Sequence, residues 1–381
     1  WVNNGYKGSP SALADEIAFI IETLKKEEAS VQKTGAPLTA GQTPGLPYSS
    51  ESVFFCNADS SIRFAGTLTL PIAQKANKAI VLVSGTGKQD RDGTMAGHKF
   101  FAVIADSLSR QGVAVLRVDD RGTGETTGQY EDATTADFAN DALLAVAYLK
   151  ARPELKETSI GLLGHSEGGA AIAMAAARSK DVHFIISLSG LATKGLDALL
   201  EQNRQLVQVA NIPQHDKDRY NDINARMFQV AYQYANDTAM ETMLRATYKN
   251  WKVKDDQLVD SLHIKYDHFR FPIESYVRQA TGKWYRFHIR FDPADHITKI
   301  QVPVLSIYGE KDIMLNARNN TQNWEKYTAA AQHKNTTTKI IPGLNHLLQH
   351  CNTCTITEYA QLPETIAPAV LQEMTTWLKS I

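Results

Sequence analysis

Cysteine, excess charge and long apolar runs are all scarce in this sequence. Three cysteines in 381 residues are too few for a scaffold built on disulfide bonds. The 40 basic and 41 acidic side chains nearly balance, and no dense Lys/Arg run stands out, so we expect neither nucleic acid nor an anionic lipid surface as a partner. The longest apolar stretches cover only a few residues, which predicts no membrane span.

The first residues of the sequence bear on where the protein is located in or outside the cell. The sequence begins at Trp1 and lacks the basic segment followed by an apolar one that a secretion signal would have. Either a targeting segment has been removed or the sequence starts inside a longer protein. The first interpretation predicts a mature exported bacterial protein, periplasmic or extracellular, and a cytoplasmic protein is the alternative. In an exported protein Cys351 and Cys354 are spaced to pair with each other, which leaves Cys56 over.

Three parts can be distinguished along the chain. Residues 1–46 contain one amphipathic helix, predicted over 10–29, and a linker rich in Gly, Pro, Ser and Thr. Residues 47–191 and 297–381 alternate strands with helices and are expected to form one discontinuous catalytic core. Residues 192–296 are polar and helical without a strong buried strand, and we expect them to form an inserted helical cap.

The order of strands and helices in the predicted core indicates the kind of sheet that it forms. Two strands joined by a polar turn come first, at 53–57 and 62–71. Later strands are apolar throughout, and helices separate most of them, which predicts an α/β fold with a mostly parallel sheet covered on both faces. These strands are predicted at 79–84, 113–118, 159–163, 183–189, 302–308 and 339–341, and the helices at 98–111, 134–151, 166–179 and 365–380.

The segment Gly164-His165-Ser166-Glu167-Gly168 fits the pattern G-x-S-x-G between a predicted strand and a predicted helix. A nucleophile on such a turn adopts a strained backbone conformation, and only small neighbours leave room for it. We therefore predict Ser166 as a nucleophile. The alternative is an ordinary glycine-rich turn with a capping serine.

A serine hydroxyl needs a base to take its proton and an acid to orient that base. His346 follows the last predicted strand, and Asp312 lies just past the end of the strand before it, in the order Ser, acid, His. His350 is the competing base and Glu310 the competing acid. The alternatives are that His346 is a histidine of a surface loop and that Asp312 only forms a turn, in which case neither has a catalytic role.

Main-chain amides are expected to bind the negative charge that develops on the substrate oxygen. The amide of Glu167 lies at a helix N-terminus, and the amide of Thr86 lies on the Gly-rich loop after the strand at 79–84. This loop could also be read as a phosphate loop, but it lacks the G-K-[ST] ending of such loops.

Two charged clusters follow strands at the same sheet edge. One contains Asp90 and Arg91, and the other contains Asp120 and Arg121. We expect their charges to pair, with Arg121 bound to a carboxylate of either cluster and supporting the loop of Thr86. A direct contact of Arg121 with substrate is the alternative.

A metal site is the remaining alternative for the residues around the predicted base. His346, His350, Cys351 and Cys354 fall within nine residues, whereas structural zinc sites usually take ligand pairs from two separated segments. We expect no metal and no cofactor.

Together these segments resemble those of the bacterial α/β-hydrolases, in particular the carboxylesterases related to the serine aminopeptidase-like hydrolases. The resemblance covers about residues 47–381 and implies the α/β-hydrolase fold with Ser166, Asp312 and His346 as a catalytic triad. It also implies the Thr86 and Glu167 amides as oxyanion donors, although the family often has His at the position of Ser84. The segments that carry it are GHSEGG, DDRGTGET, SGTGKQDRDG, IYGEKD and GLNHLLQH.

The predicted function is hydrolysis of small carboxylic esters through an acyl-enzyme. Trp284, Tyr285 and Phe287 are expected to line an acyl pocket, with packing inside the protein as the alternative. A serine aminopeptidase, an amidase or a sugar acetyl esterase would use the same triad, because the leaving group changes and the nucleophile does not. A binding module without activity is the non-enzyme alternative.

Overall fold

The structure is a computed structural model, and it describes residues 45–333 and 335–381. The helix predicted over 10–29 lies outside these residues. The described chain divides into two compact units, one formed by Lys194–Phe291 and the other by the residues before and after that segment. Within the described residues no helix combines the length and hydropathy needed to cross a bilayer.

The larger unit is built on one eight-stranded sheet, whose strands lie in the order β1 (Tyr48–Cys56), β2 (Arg63–Pro71), β6 (Ala114–Val118), β3 (Lys78–Val83), β7 (Ser159–His165), β8 (Phe184–Leu188), β9 (Val304–Gly309) and β10 (Thr336–Ile341). The pairs β1–β2 and β2–β6 are antiparallel, and every other neighbouring pair is parallel. A two-stranded ribbon, β4–β5, lies apart from this sheet. In chain order the elements up to the smaller unit are β1 (Tyr48–Cys56), β2 (Arg63–Pro71), β3 (Lys78–Val83), β4 (Thr94–Met95), β5 (His98–Lys99), α1 (Phe100–Arg110), β6 (Ala114–Val118), α2 (Thr135–Ala151), β7 (Ser159–His165), α3 (Glu167–Ala176) and β8 (Phe184–Leu188).

The smaller unit is helical and is followed by the rest of the core. Its helices are α4 (Gly195–Val209), α5 (Gln214–Gln233), α6 (Met240–Ser261), α7 (Ile273–Ala280) and α8 (Lys283–Arg290). The core then continues with α9 (Ala294–Ile297), β9 (Val304–Gly309), α10 (Ala317–Ala330), β10 (Thr336–Ile341) and α11 (Pro368–Ser380). The predicted fold class, a mostly parallel α/β sheet with a helical insertion, is confirmed.

Alternating residues of β3 show how helices cover both faces of the sheet. Ile80 and Leu82 belong to a buried apolar cluster with residues of α1 and α11. Val81 and Val83 point to the opposite face, because side chains alternate along a strand, and they line a small cavity with residues of α2. Strands buried on both faces explain why the sequence of this part is apolar without alternation.

Parallel strands bring their carboxyl ends to one edge of the sheet. The loops that follow β3, β6, β7, β9 and β10 therefore meet at that edge. All residues predicted to act in catalysis lie on these loops or at the start of α3.

The smaller unit has its own apolar core and one buried ionic cluster. Arg219 is 3% exposed and binds the carboxylates of Asp216, Asp255 and Asp267 at 2.7–2.9 Å. Its guanidinium also lies over the ring of Phe269. The two ends of this unit are joined, because the amide of Gly195 donates to the carbonyl of Phe291 at 2.9 Å.

The aromatic residues predicted to line an acyl pocket belong to α8. Tyr285 is 4% exposed in the core of the smaller unit, and its hydroxyl is 3.0 Å from that of Tyr276. The pocket prediction is therefore wrong for Tyr285, which packs inside the unit. Trp284 and Phe287 are half-buried, and their role in substrate binding stays a prediction.

Candidate active site

Ser166 lies on the sharp turn between β7 and α3. Its backbone has φ 55° and ψ −119°, a region that residues with a side chain rarely adopt. A Cβ atom on Gly164 would lie 2.2 Å from the carbonyl oxygen of Gly168, and one on Gly168 would lie 2.4 Å from that of Val83. Glycine at both positions is therefore what allows the turn, as the sequence pattern indicates.

One hydrogen-bond chain joins the three predicted triad side chains. His346 Nε2 lies 3.0 Å from Ser166 Oγ, and His346 Nδ1 lies 2.8 Å from Asp312 Oδ2. Asp312 and His346 are 5% and 7% exposed, whereas Ser166 is more open to solvent. This arrangement can pass the proton of the serine hydroxyl to the imidazole while the carboxylate holds the ring in place.

The carboxylate of Asp312 is held by its own loop. Its Oδ1 accepts hydrogen bonds from the amides of Met314 and Leu315 at 2.8 and 2.9 Å. Oδ2 is thereby left to face His346. The competing acid, Glu310, is exposed and accepts a hydrogen bond from the amide of Gly343 instead.

The turn that carries His346 is closed by hydrogen bonds between Asn345 and Gln349, both of which are fully buried. The amide of Asn345 donates to the carbonyl of Gln349, and the amide of Gln349 donates to Asn345 Oδ1, both at 3.0 Å. The competing base, His350, lies outside this turn, where it is exposed and pairs with Glu364 at 2.7 Å.

Sequence reasoning missed the part played by His165. This residue is 2% exposed, and its Nε2 lies 3.1 Å from the main-chain carbonyl of His346. Burial, together with the nearby His346, lowers the pKa of His165 to about 3, so the ring is neutral at ordinary pH. It stands at a variable position of G-x-S-x-G, and nothing in the pattern indicates this contact.

The loop after β3 is held by residues from two other segments. Asp120 accepts hydrogen bonds from Ser84 Oγ at 2.5 Å and from the amide of Gln89 at 2.9 Å. The amide of Gly87 donates to the hydroxyl of Tyr130 at 2.8 Å. Burial raises the pKa of Asp120 to about 8, against the effect of these two hydrogen bonds.

The expected partner of Arg121 is wrong. Its guanidinium binds Asp141 on α2 at 2.6 and 2.8 Å, because that helix brings an acid of its own to the arginine. Arg91 instead pairs with a carboxylate of the other cluster, that of Asp119, which directly precedes Asp120. Asp90 holds a local turn by accepting hydrogen bonds from the amide and hydroxyl of Thr94.

The two cysteines that follow the predicted base are bonded to each other. Cys351 and Cys354 form a disulfide, and Cys56 is free and exposed. Both sulfur atoms that the zinc alternative would need are therefore bonded to each other. In the part of the chain that the structure describes, no three His, Cys, Asp or Glu residues are arranged to hold a metal ion.

The sheet order, with its parallel strands and a sharp turn between β7 and α3, defines the class as the α/β-hydrolase fold. The family of X-Pro dipeptidyl-peptidases (S15 family) matches residues 59–348, about three quarters of the chain. The chain belongs to this family.

One curated relative and several solved structures are similar to the chain. Esterase EstD of Thermotoga maritima is 24% identical over 283 residues, which cover 74% of this chain and 57% of the relative. The chain thus spans little more than half the length of that relative. The Pyrococcus furiosus esterase Pf2001 aligns over 91% of this chain and 97% of its own, with a TM-score of 0.52 and 13% identity. The α/β-hydrolase GrgF of a Penicillium species aligns over 87% and 98%, with a TM-score of 0.51 and 17% identity.

Proposed function

We propose that the protein hydrolyses carboxylic esters with Ser166 as nucleophile, His346 as general base and Asp312 as the acid that orients it. The observation that carries the proposal is the continuous chain of hydrogen bonds from Asp312 through His346 to a partly exposed serine hydroxyl. The similarity to Esterase EstD supports an ester as substrate.

The proposed reaction has two halves. Ser166 Oγ attacks the ester carbonyl carbon while its proton passes to His346 Nε2, and Asp312 stabilises the imidazolium that forms. When the tetrahedral intermediate collapses, the bond to the alcohol oxygen breaks and His346 returns the proton to that oxygen. Water then attacks the acyl-enzyme with the same proton transfers, which releases the acid and restores the serine.

The amides of Thr86 and Glu167 are the proposed donors to the oxyanion. The glycines around Ser166 support this role because they let the start of α3 approach the loop after β3. Losing one such donor costs about 3 kcal/mol of transition-state stabilisation in enzymes of this kind. No cofactor enters these steps.

A second candidate is cleavage of an amide bond in a peptide. The match to the X-Pro dipeptidyl-peptidase family favours it, and the same three side chains would act in it. The two candidates differ in the leaving group, an alcohol or an amine, and a substrate panel separates them.

The test compares the purified protein with its Ser166→Ala variant on p-nitrophenyl acetate, p-nitrophenyl butyrate and Xaa-Pro p-nitroanilides. We expect ester turnover that falls by at least about a thousandfold in the variant, and labelling of Ser166 by a fluorophosphonate probe. Turnover of the anilides in preference to the esters would favour the peptidase. Equal ester rates in both proteins, or an unlabelled serine, would contradict a serine hydrolase and leave the binding module.

A further inference from the structure

The side chains of Glu167 and Thr86 form a direct hydrogen bond, with Thr86 Oγ1 donating to Glu167 Oε2 at 2.7 Å. These are the two residues whose main-chain amides are the proposed oxyanion donors. We propose that the Glu167 carboxylate is a positioning residue that fixes the separation of the two donors. This inference rests on the proposed function of the site.

The carboxylate is itself held in place from a second side. Thr135 Oγ1, at the first residue of α2, donates to Glu167 Oε1 at 2.6 Å, so each carboxylate oxygen accepts from a different threonine. The preceding Thr134 and Asp137 form a capping box that fixes this end of α2. With its side chain 2% exposed between these partners, Glu167 has a defined orientation.

Thr86 needs such support because of its neighbours. It is exposed on its loop between Gly85 and Gly87, and Gly87 has φ 95°. A Cβ on Gly85 would lie 3.0 Å from Ser166 Cβ, so the close approach to the nucleophile requires glycine. A segment flanked by two glycines has many accessible conformations, and the amide of Thr86 is useful only in one of them.

The hydrogen bond from the Thr86 hydroxyl to the Glu167 carboxylate restricts the conformation of this segment. Removing the hydroxyl leaves both amides and the bonds at Ser84, Gly87 and Gln89 in place, but takes away the hydrogen bond that ties Thr86 to Glu167. The loss should therefore appear in the transition state, where the oxyanion exists, and much less in substrate binding.

The test is a pair of variants at one exposed position. Thr86→Val keeps the shape and removes the hydroxyl, whereas Thr86→Ser keeps the hydroxyl. On p-nitrophenyl butyrate we expect Thr86→Val to lower kcat by about tenfold or more with KM within about twofold. Thr86→Ser, which retains the hydrogen-bond donor, should lower kcat by a clearly smaller factor than Thr86→Val does. The inhibition constant of an alkyl boronic acid, which forms a tetrahedral adduct with the serine, should rise in Thr86→Val in parallel with the loss of kcat.

A double variant ties the effect to Glu167. In a Glu167→Ala background, Thr86→Val should cause almost no further loss of kcat, because its partner is already gone. An unchanged kcat in Thr86→Val, or equal losses in the Val and Ser variants, would overturn the positioning role while Ser166-dependent turnover of the wild type leaves the proposed function intact. A wild type without ester turnover or fluorophosphonate labelling would overturn both.

Discussion

The Nε2–H of His165 donates to the main-chain carbonyl of His346, 3.1 Å away, so the residue before the proposed nucleophile holds the loop of the proposed base. The two rings also pack together, with centroids 5.0 Å apart. Because a carbonyl can only accept, the contact requires a proton on Nε2 of His165. The neutral ring supplies it without placing a positive charge beside the base.

The burial of the His165 ring predicts a loss of stability in acid. Burial lowers the pKa of His165 from its ordinary value of 6.5 to about 3, so between these values the unfolded chain binds a proton that the folded protein does not. Stability should therefore fall as the pH falls through that window. Glutamine can donate to the same carbonyl without titrating, and the decrease in Tm between pH 7 and pH 4 should be smaller in His165→Gln. Equal decreases in both proteins would contradict this role.

Asp120 predicts the opposite dependence. Burial raises its pKa from 3.8 to about 8, so above pH 4 the folded protein holds a proton that the unfolded chain has lost. Its contribution to stability should decrease as the pH rises towards 8. Asparagine mimics the protonated acid, since it can accept from the Gln89 amide and donate to Ser84 Oγ.

We therefore expect the Tm of Asp120→Asn, relative to the wild type, to rise steadily from pH 5 to pH 8 and then to level off. Thermal unfolding of the two proteins across this range measures it. A Tm difference that does not change with pH would mean that Asp120 does not titrate there.

The choice between the two candidate acids can be tested directly. Asp312→Asn removes the charge beside His346 Nδ1 and should lower kcat for ester hydrolysis by about a thousandfold or more. Glu310→Gln is the matched control, because Glu310 is exposed and contacts the amide of Gly343 rather than the base. It should change kcat by less than about threefold. A larger loss in Glu310→Gln than in Asp312→Asn would reverse the assignment.

The buried ionic cluster of the smaller unit should be costly to break. Arg219→Met takes the guanidinium away from the buried carboxylates of Asp216 and Asp255, and we expect the free energy of unfolding to fall by about 3–5 kcal/mol. Arg226→Met is the control, because its pair with Asp222 is about half exposed and should contribute less than about 1 kcal/mol. Thermal unfolding followed by circular dichroism compares the two, and similar shifts in Tm would contradict the difference.

The sequence predicts the parts of this protein that depend on local chemistry. The elbow at Ser166 needs glycine at fixed neighbouring positions, and Asp312 and His346 follow strands in a fixed order, so these residues can be found by pattern. Arg121 could not be paired correctly, because several acids lie near it and only the placement of α2 selects Asp141. The side-chain contact of Glu167 with Thr86 could not be predicted either, because Glu167 stands at a variable position of G-x-S-x-G.

The strand boundaries differ from prediction for a similar reason. The first strand begins at Tyr48 rather than at residue 53, because Ser49, Ser50 and Ser52 continue an antiparallel edge strand that faces solvent on one side. Such a strand needs no continuous apolar run. Tyr285 could not be placed from the sequence either, because the sequence does not distinguish an aromatic residue that lines a pocket from one that packs in a core.

The hydrogen bond between Gly195 and Phe291 means that the smaller unit leaves the chain and returns to it at neighbouring points. Every group proposed to make or break a bond belongs to the remainder of the protein. Because the two ends of the insertion are adjacent, its length can change without separating the neighbouring strands β8 and β9.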